Sequence, residues 1–432
     1  MSKQTLSNLP PKGTYDWLPP EFAVRKYIFD TWRKVCRSFG YEEYLTPLVE
    51  SADIYRAKSG ADIGGSELTT FMDRGDRELA IRPEMTPSVT RMVSRIYEAT
   101  PKPIRLFSIA NFYRNERPQR GRNREFWQLN CDIFGVESSL ADLEILQLAL
   151  EIMLSFSPPK GSFTLYINNR KLIDAVLPQT KNRTDIVRLL DKAEKLSPTD
   201  LSAQLDLLDL SSNQKDLLIN FINSSSATQL IKNIPSLKSN PGYLECVELL
   251  SKLEALGYSD WVQFKPNVIR GFDYYDGMVF EVFDNNPKNL RSMFGGGRYN
   301  GLAGIFGGSS FPATGFAPGD ETTKLFLESW NLIPPTNPLA TQILVTIFSP
   351  ELELKSLELS TLLRQAGIAT ELYPEDQTKL EKQLKYASAK KIPYVAIIGP
   401  EEIAKNEVKV KNMTTGEQQT LPTSEIDKLL SS

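Results

Sequence analysis

The sequence predicts an α+β protein. A large N-terminal domain built on an antiparallel sheet is interrupted by a helical insertion and followed by a small α/β domain. Three observations predict it. Residues 69–83 and 104–137 each read as two strands joined by a polar connection, the pattern of antiparallel neighbours. Residues 171–258 are poor in aromatics and rich in Leu, Lys, Asp and Ser, with apolar residues at helical spacing. Beyond residue 340 strand-like and helix-like segments alternate, the order of a parallel sheet with helices against it.

In chain order, Pro19-Pro20 precede a helix carrying Val24, Ile28, Trp32, Val35 and Phe39, and Gly40 stops it. Residues 44–49 read as a strand. Pro47 cannot donate to a ladder, so this strand belongs at an edge or interface. Charged and apolar residues alternate from Thr69 to Pro83 around Arg74-Gly75-Asp76, a hairpin, and Ser88 to Ile96 is helical. Residues 104–137 hold two apolar strands around an arginine-dense loop. In the insertion, 186–190 and 244–253 read as helices. Strands return at 279–283 and 295–299. Residues 331–339 form a Pro-rich linker. Residues 343–348, 369–373 and 394–398 then read as strands, with helices at 352–365 and 378–389, a hairpin at Met413-Thr414-Thr415-Gly416 and a short last helix.

Composition narrows the chemistry. The chain has 432 residues and no histidine. That excludes Ser–His–Asp and Cys–His nucleophile systems, imidazole zinc sites and a histidine pH switch. Lys+Arg number 50 against Asp+Glu 53, a net charge of −3, so any nucleic-acid binding rests on local patches. Cys36, Cys131 and Cys246 form no CxxC pair and suit buried thiols in a reducing cytosol. The N-terminus has no apolar signal core, and no run of 18 apolar residues occurs, so a cytoplasmic protein without a membrane span is expected.

Four segments can carry chemistry. Residues 112–128 place five arginines between 114 and 124. Guanidinium forks pair with phosphate oxygens, Gly121 gives the loop freedom, and Phe126 or Trp127 could stack on a base. Arg82-Pro83-Glu84-Met85-Thr86 offers a carboxylate and a hydroxyl two residues apart, suited to an ammonium group. It equally suits a helix N-terminal cap at Thr86 before Pro87. Arg270-Gly271 opens a Phe-Asp-Tyr-Tyr strand entry where an anion can approach. Gly295-Gly296-Gly297-Arg298-Tyr299 reads as a flexible turn or as backbone crowded against a ligand.

Together these segments resemble the histidyl-tRNA synthetases, of the antiparallel-sheet class II. The resemblance runs from Pro11-Lys12-Gly13-Thr14-Tyr15-Asp16 to the last domain. Tyr41 to Glu50 resembles motif 1, at the dimer interface in that family. Residues 112–128 resemble motif 2, and 270–275 and 295–299 the two histidine-specific segments. Residues 340–432 resemble the anticodon-binding domain, with Lys382 to Ala387 a recognisable piece. The implied division is a catalytic domain over 1–330, interrupted at 171–258, a linker over 331–339 and an anticodon-binding domain over 340–432.

The resemblance implies ATP-dependent ligation of histidine to tRNA(His) through histidyl-adenylate, with Mg²⁺ on the ATP phosphates, in a cytoplasmic homodimer. It also implies roles. Arg114 and Arg270 are catalytic, and Arg114 contacts the α-phosphate. Glu84, Thr86 and Gln128 hold the histidine amino group, and Asp132, Tyr274 and Tyr275 line the imidazole pocket. Glu116, Arg122, Phe126 and Glu321 join Arg114 in binding ATP, with Phe126 on the adenine. Gln119 meets the tRNA acceptor end. The family usually has glutamate where Asp132 stands, and arginine, gripping the γ-phosphate, where Thr322 stands. Arg120, Arg122 or Arg124 is the expected substitute. The alternative is the non-catalytic regulatory subunit of ATP phosphoribosyltransferase, which resembles the same core. The retained arginines and the last domain favour the synthetase.

Overall fold

The computed structural model describes residues 6–57, 59, 62–177, 183–193, 196–268, 274–289, 292–307, 310–335 and 341–426. Two compact units divide the chain, residues 1–16 with 24–334, and residues 17–23 with 335–432.

The first unit is built on an eight-stranded sheet. Its strands run in the order Glu42–Glu43, Ile104–Tyr113, Glu125–Phe134, Ala313–Phe316, Ser292–Arg298, Met278–Asp284, Phe163–Asn169, Val262–Phe264. The pairings between 104–113 and 163–169 are all antiparallel, and only the two outermost strands join in parallel. Side chains alternate across a strand, which sorts the sheet's two faces. Phe107, Ile109, Leu129, Cys131 and Ile133 pack with the helices Pro19–Ser38 and Ser139–Leu154 in one core. Leu106, Ala110, Phe112 and Phe134 pack on the other face with Val89 and Val93 of the helix Thr86–Ile96. Phe126, Gln128, Asn130 and Asp132 fall on this second face. The thiols of Cys36 and Cys131, far apart in sequence, touch at 3.4 Å in the first core and remain free.

The segment 197–255 folds as helices because its polar residues cap them. Ser197, Ser211, Ser226 and Asn240 each accept a backbone N–H at the start of the helices Pro198–Asp206, Ser212–Ile222, Ala227–Asn233 and Pro241–Ala255. Their buried leucines continue the sheet's first core.

The second unit holds a five-stranded sheet in the order Thr370–Leu372, Ile343–Val345, Tyr394–Ile397, Glu407–Asn412, Gln418–Pro422. The first three strands are parallel and the hairpin adds two antiparallel ones. Gln383, inside Lys382 to Ala387, is buried and bonds through its side chain to Ile347 N, Ile347 O and Thr378 O. Residues 427–432, at the end where the short last helix is expected, lie outside the described residues, as do 336–339 of the linker and residue 340.

Two expectations need correction. Residues 44–49 do not form one strand. Glu42–Glu43 and Val49–Ser51 are strands of different sheets, and the segment between them is held from outside. Arg82 donates to Thr46 O at 2.9 Å, and Arg82 N to Leu48 O. Pro47 removes a ladder donor, and a buried guanidinium takes the carbonyl beside it. Thr86 is also not a helix cap. The helix begins at Thr86 itself, after Met85, without a side-chain cap bond.

One buried ion pair anchors the sheet to its helix. Asp142, fully buried on Ser139–Leu154, meets Arg298 Nη2 at 2.8 Å. Arg298 also donates to Val136 O and Ser138 O. Burial pushes the Asp142 carboxyl up to about 6 against the opposing pull of Arg298. Removing one partner of a buried pair strands the other charge. Arg298→Ala should therefore cost about 3–5 kcal/mol in urea unfolding near pH 7.5, whereas a loss below about 1 kcal/mol would place this pair among weak surface bridges.

Candidate active site

The second face of the sheet carries a buried carboxylate inside a cage of phenols. Asp132 is 4% exposed. Its strand neighbour is Gly315, where a Cβ would come within 2.1 Å of Asp132 Oδ1. The glycine leaves the space that the carboxylate fills. Tyr299 Oη donates to Asp132 Oδ1 at 2.5 Å. Burial pushes the Asp132 carboxyl up to about 7, and the Tyr299 bond works against that rise. The Tyr299 phenol is itself raised well above its ordinary value, by burial first and then by the Asp132 charge.

The other pocket residues surround this pair. Tyr274 Oη donates to Glu84 Oε2 at 3.1 Å, and both are buried. Tyr274 lies 4.8 Å from Tyr275 and 5.8 Å from Tyr299 between ring centroids. The glycine triplet is crowded against protein, which corrects its reading as a ligand approach. A Cβ at Gly296 would meet Gly315 O at 2.2 Å, and one at Gly297 would meet Met278 O at 2.4 Å and the Tyr275 ring at 3.0 Å. The glycines let three strands and a tyrosine close around Asp132.

The hairpin of 104–113 and 125–134 supplies the next group. Phe112 and Phe126 are cross-strand partners with centroids 5.8 Å apart. Guanidinium groups cover this pair, Arg82 over Phe112 at 5.1 Å and Arg114 over Phe126 at 5.0 Å. Arg114 Nε also donates to Pro83 O at 3.0 Å, so Arg114, Phe126 and the segment before Thr86 meet. Gln128 Nε2 donates to Ala317 O at 3.2 Å. Thr86 is half-buried beside Glu84 in sequence. In the loop, Gln119 and Arg122 pair through their backbones around Gly121, whose φ of +69° only glycine adopts readily. That places Gln119, Arg120 and Arg122 at an exposed tip. Arg122 reaches Glu116 at 3.4 Å. Arg124 is held instead, by Glu116 O and against Gly13. Arg270 lies outside the described residues.

The helix Asp320–Ser329 starts at the same strand. Asp320 Oδ1 accepts from Trp127 N at 3.0 Å, beside Phe126 and Gln128. Arg25, 2% exposed on the first helix, forms ion pairs with both Asp320 and Glu321. Burial lowers the Arg25 pKa to about 10, which the neighbouring acids oppose, so it stays charged at neutral pH. Thr322 turns its hydroxyl inward, onto Met293 O at 3.0 Å and Gly319 O at 3.1 Å. Glu321 therefore stands engaged by Arg25. Sequence reasoning missed Arg25, Asp320 and the Tyr299 contact. The adjacent acids at a helix start were a usable clue. A lone arginine in an amphipathic helix 295 positions away was not.

Among the described residues no group of three His, Cys, Asp or Glu side chains could hold a metal ion. Mg²⁺ usually keeps several of its waters and binds through one or two carboxylates plus substrate phosphates, so it needs no dedicated protein cage.

Comparison with known proteins places this geometry. A family model described as histidyl-tRNA synthetase matches residues 13–320, and one for an anticodon-binding domain matches 342–432. The chain is 40% identical over 98% of its length to the histidine–tRNA ligase of Leptospira biflexa, covering 98% of that protein. It is 32% identical to that of Pyrococcus furiosus over 96% of each. A crystal structure of histidyl-tRNA synthetase from Nostoc superposes with a TM-score of 0.80 at 23% identity, covering 99% of both chains. The structure of an ATP phosphoribosyltransferase regulatory subunit/histidyl-tRNA synthetase from Bacillus halodurans gives a TM-score of 0.73 at 24% identity over 89% of this chain and 97% of that one. These two structures share the fold.

The buried carboxyl makes a stability prediction. Its value in the folded protein, about 7, exceeds the ordinary 3.8. The folded state thus holds the proton more tightly, and that stabilisation is lost as pH rises from the ordinary value through about 7. Asp132→Asn, which keeps an acceptor for Tyr299, should raise the ligand-free Tm by several degrees at pH 8 and hardly at pH 4.5. Calorimetry at the two pH values checks this, and an equal change at both would contradict it.

Proposed function

The chain belongs to the histidyl-tRNA synthetase family, and from that premise we infer that the cage around Asp132 is where it takes up histidine. The chain joins histidine to tRNA(His) in an ATP-dependent ligation. The observation that carries the assignment of the pocket is the Asp132–Tyr299 contact. It is a desolvated carboxylate whose Oδ1 accepts from a phenol, and we assign its other oxygen to an imidazole N–H. A side chain without that N–H would leave the buried acid unpaired, which is how a polar pocket rejects analogues.

No side-chain base is needed for the first step. The histidine carboxylate is already an anion at neutral pH. It attacks the ATP α-phosphate, giving histidyl-adenylate and pyrophosphate. A ribose hydroxyl of the terminal tRNA adenosine then attacks the adenylate carbonyl and releases AMP. The first step requires alignment and stabilisation of phosphoryl charge. Arg114 is the guanidinium for that work, and Arg270 takes its role from the resemblance alone. Glu84, Thr86 and Gln128 hold the amino group. The Tyr274 bond to Glu84 couples this end of the site to the imidazole end. Phe126 receives the adenine where Arg114 now covers its ring, so Arg114 swings toward the phosphate as the base enters. Glu116 and Arg122 flank the triphosphate, Gln119 meets the acceptor end, and Glu321 acts while held by Arg25.

We propose the same division of the chain as in the sequence reading: catalytic domain over 1–330, insertion over 171–258, linker over 331–339 and anticodon-binding domain over 340–432. We also propose a cytoplasmic homodimer joined through Tyr41 to Glu50, a reading supported by the exposed Leu45 and Leu48. No helix among the described residues is long and apolar enough to cross a membrane. The regulatory-subunit alternative is less well supported, because the sequence relatives above are ligases over their whole length.

Two outcomes test this reading. The KM for histidine should rise as pH falls below about 7, because the protonated Asp132 no longer accepts the imidazole N–H, and Asp132→Ala should abolish charging of tRNA(His) in a folded protein. Charging by that variant at the parental rate would remove the pocket assignment. Because Thr322 faces inward and Arg124 is pinned, Arg120→Ala or Arg122→Ala should raise the KM for ATP in pyrophosphate exchange by tenfold or more. Unchanged values in both would mean that the loop does not replace the motif 3 arginine.

A further inference from the structure

Asn168 stands on the strand Phe163–Asn169, fully buried, opposite Val279 of the neighbouring strand. Leu165 and Ile167 face the first core, so alternation puts Tyr166 and Asn168 on the face that carries Asp132. The parallel strand Val262–Phe264 ends beside it, and Lys265-Pro266-Asn267-Val268 forms a turn. Val268 N donates to Lys265 O at 3.3 Å, with proline at the second position of the turn. Asn168 clamps that turn. Its Nδ2 donates to Pro266 O at 2.7 Å and to Val268 O at 3.1 Å. Lys265 N reaches Ile167 O at 3.0 Å, and the Lys265 ammonium lies 4.3 Å from the Tyr166 ring centroid and 5.0 Å from that of Phe283. The turn is thus held at its start and at its end. Two residues after it in sequence stands Arg270.

We infer that Asn168 is a positioning residue for adenylate formation: it sets the direction in which the chain leaves the turn, and through it the reach of Arg270. The inference rests on the catalytic role that the resemblance gives Arg270. Asn168 Oδ1 is buried without a hydrogen-bond partner, so the bonds of this side chain are spent on the turn. An interior amide with an idle oxygen costs stability, and each such exception calls for an explanation. The effect obtained here is that one rigid amide, with two donors in a plane, holds two carbonyls of the turn at once. Stabilising phosphoryl charge requires a donor already in place when the reaction occurs. An arginine side chain is long, and fixing the backbone just before it narrows where its guanidinium can go. The pocket tyrosines that follow are anchored separately, Tyr274 on Glu84. Loss of Asn168 therefore falls on the reacting end of the site and spares the imidazole end.

The test is a double-mutant cycle in the full-length enzyme with Asn168→Ala and Arg270→Ala. Adenylate formation from histidine and ATP is read in single turnover with enzyme in excess, where slow variants remain measurable. The KM for histidine comes from pyrophosphate exchange. Arg270→Ala should lower the rate by about a hundredfold or more. Asn168→Ala should lower it at least tenfold, with the KM for histidine within threefold of the parent. The double variant should stay within twofold of Arg270→Ala, because the clamp acts through that guanidinium and residues acting as a unit are not additive. Asn168→Ser, which keeps one donor, should lose about threefold or more, and it takes the place of the alanine variant in the cycle if that variant does not fold. Losses that multiply in the double variant, or an Asn168→Ala rate within twofold of the parent, would overturn the inference and leave Asn168 a structural clamp, with the role of Arg270 intact. A parental rate in Arg270→Ala would instead remove the catalytic role of Arg270, and the inference with it.

Discussion

A single carboxylate kept away from water organises this site. Among the described residues Asp132 bonds the Tyr299 phenol and has a glycine at its back, and burial drives it toward its neutral form. A desolvated acid is costly to a ligand-free fold, and the chain meets that cost with shape. Gly296, Gly297 and Gly315 let three strands close to distances that any Cβ would forbid, and Tyr275 and Tyr299 fill what remains. Cost and selectivity have one origin. A group that water cannot satisfy discriminates strongly for the ligand that can.

The strand end that carries Phe126 and Gln128 obeys a different constraint, that of charges neutralised by a partner far away in sequence. Asp320 and Glu321 open a helix beside the strand that carries Phe126 and Gln128, and Asp320 bonds the backbone between those two residues. Both acids are held by Arg25 from the first helix. The backbone register of the site strand is therefore tied to a helix on the sheet's opposite face. The thiol contact of Cys36 with Cys131 lies on that same face, one residue from Asp132 in the chain. Helix and strand share one packed core, so a change at the first helix can reach the strand that carries Asp132.

The fold was legible wherever it is written in periodicity. The hairpins at 69–81 and 104–134, the helices of 241–255 and 353–365 and the alternation after residue 340 follow from apolar spacing and turn residues. The segment 44–49 was misread because its apolar alternation says nothing of Arg82, which claims its carbonyl across the fold. The site was legible as a set of segments. Their meeting depends on register, which sequence spacing does not encode. Tyr299 was visible within a glycine-rich segment but not as the partner of Asp132, since that contact needs Gly315 and Arg298 on neighbouring strands to be in place. Arg25 left no local trace at all. A guanidinium in an amphipathic helix looks like a surface charge until its acids arrive from the far end of the domain.

The central claim is that a carboxyl with a raised pKa binds the imidazole of histidine. Calorimetric titration of histidine into the ligand-free enzyme at pH 7, in buffers of different ionisation enthalpy, measures it most directly. If Asp132 is half-protonated there and pairs with an imidazole N–H, binding expels its proton. The parent should release more protons per histidine than Asp132→Asn, which shows only the release from histidine itself. Equal proton release by parent and variant, at equal affinity, would contradict the account.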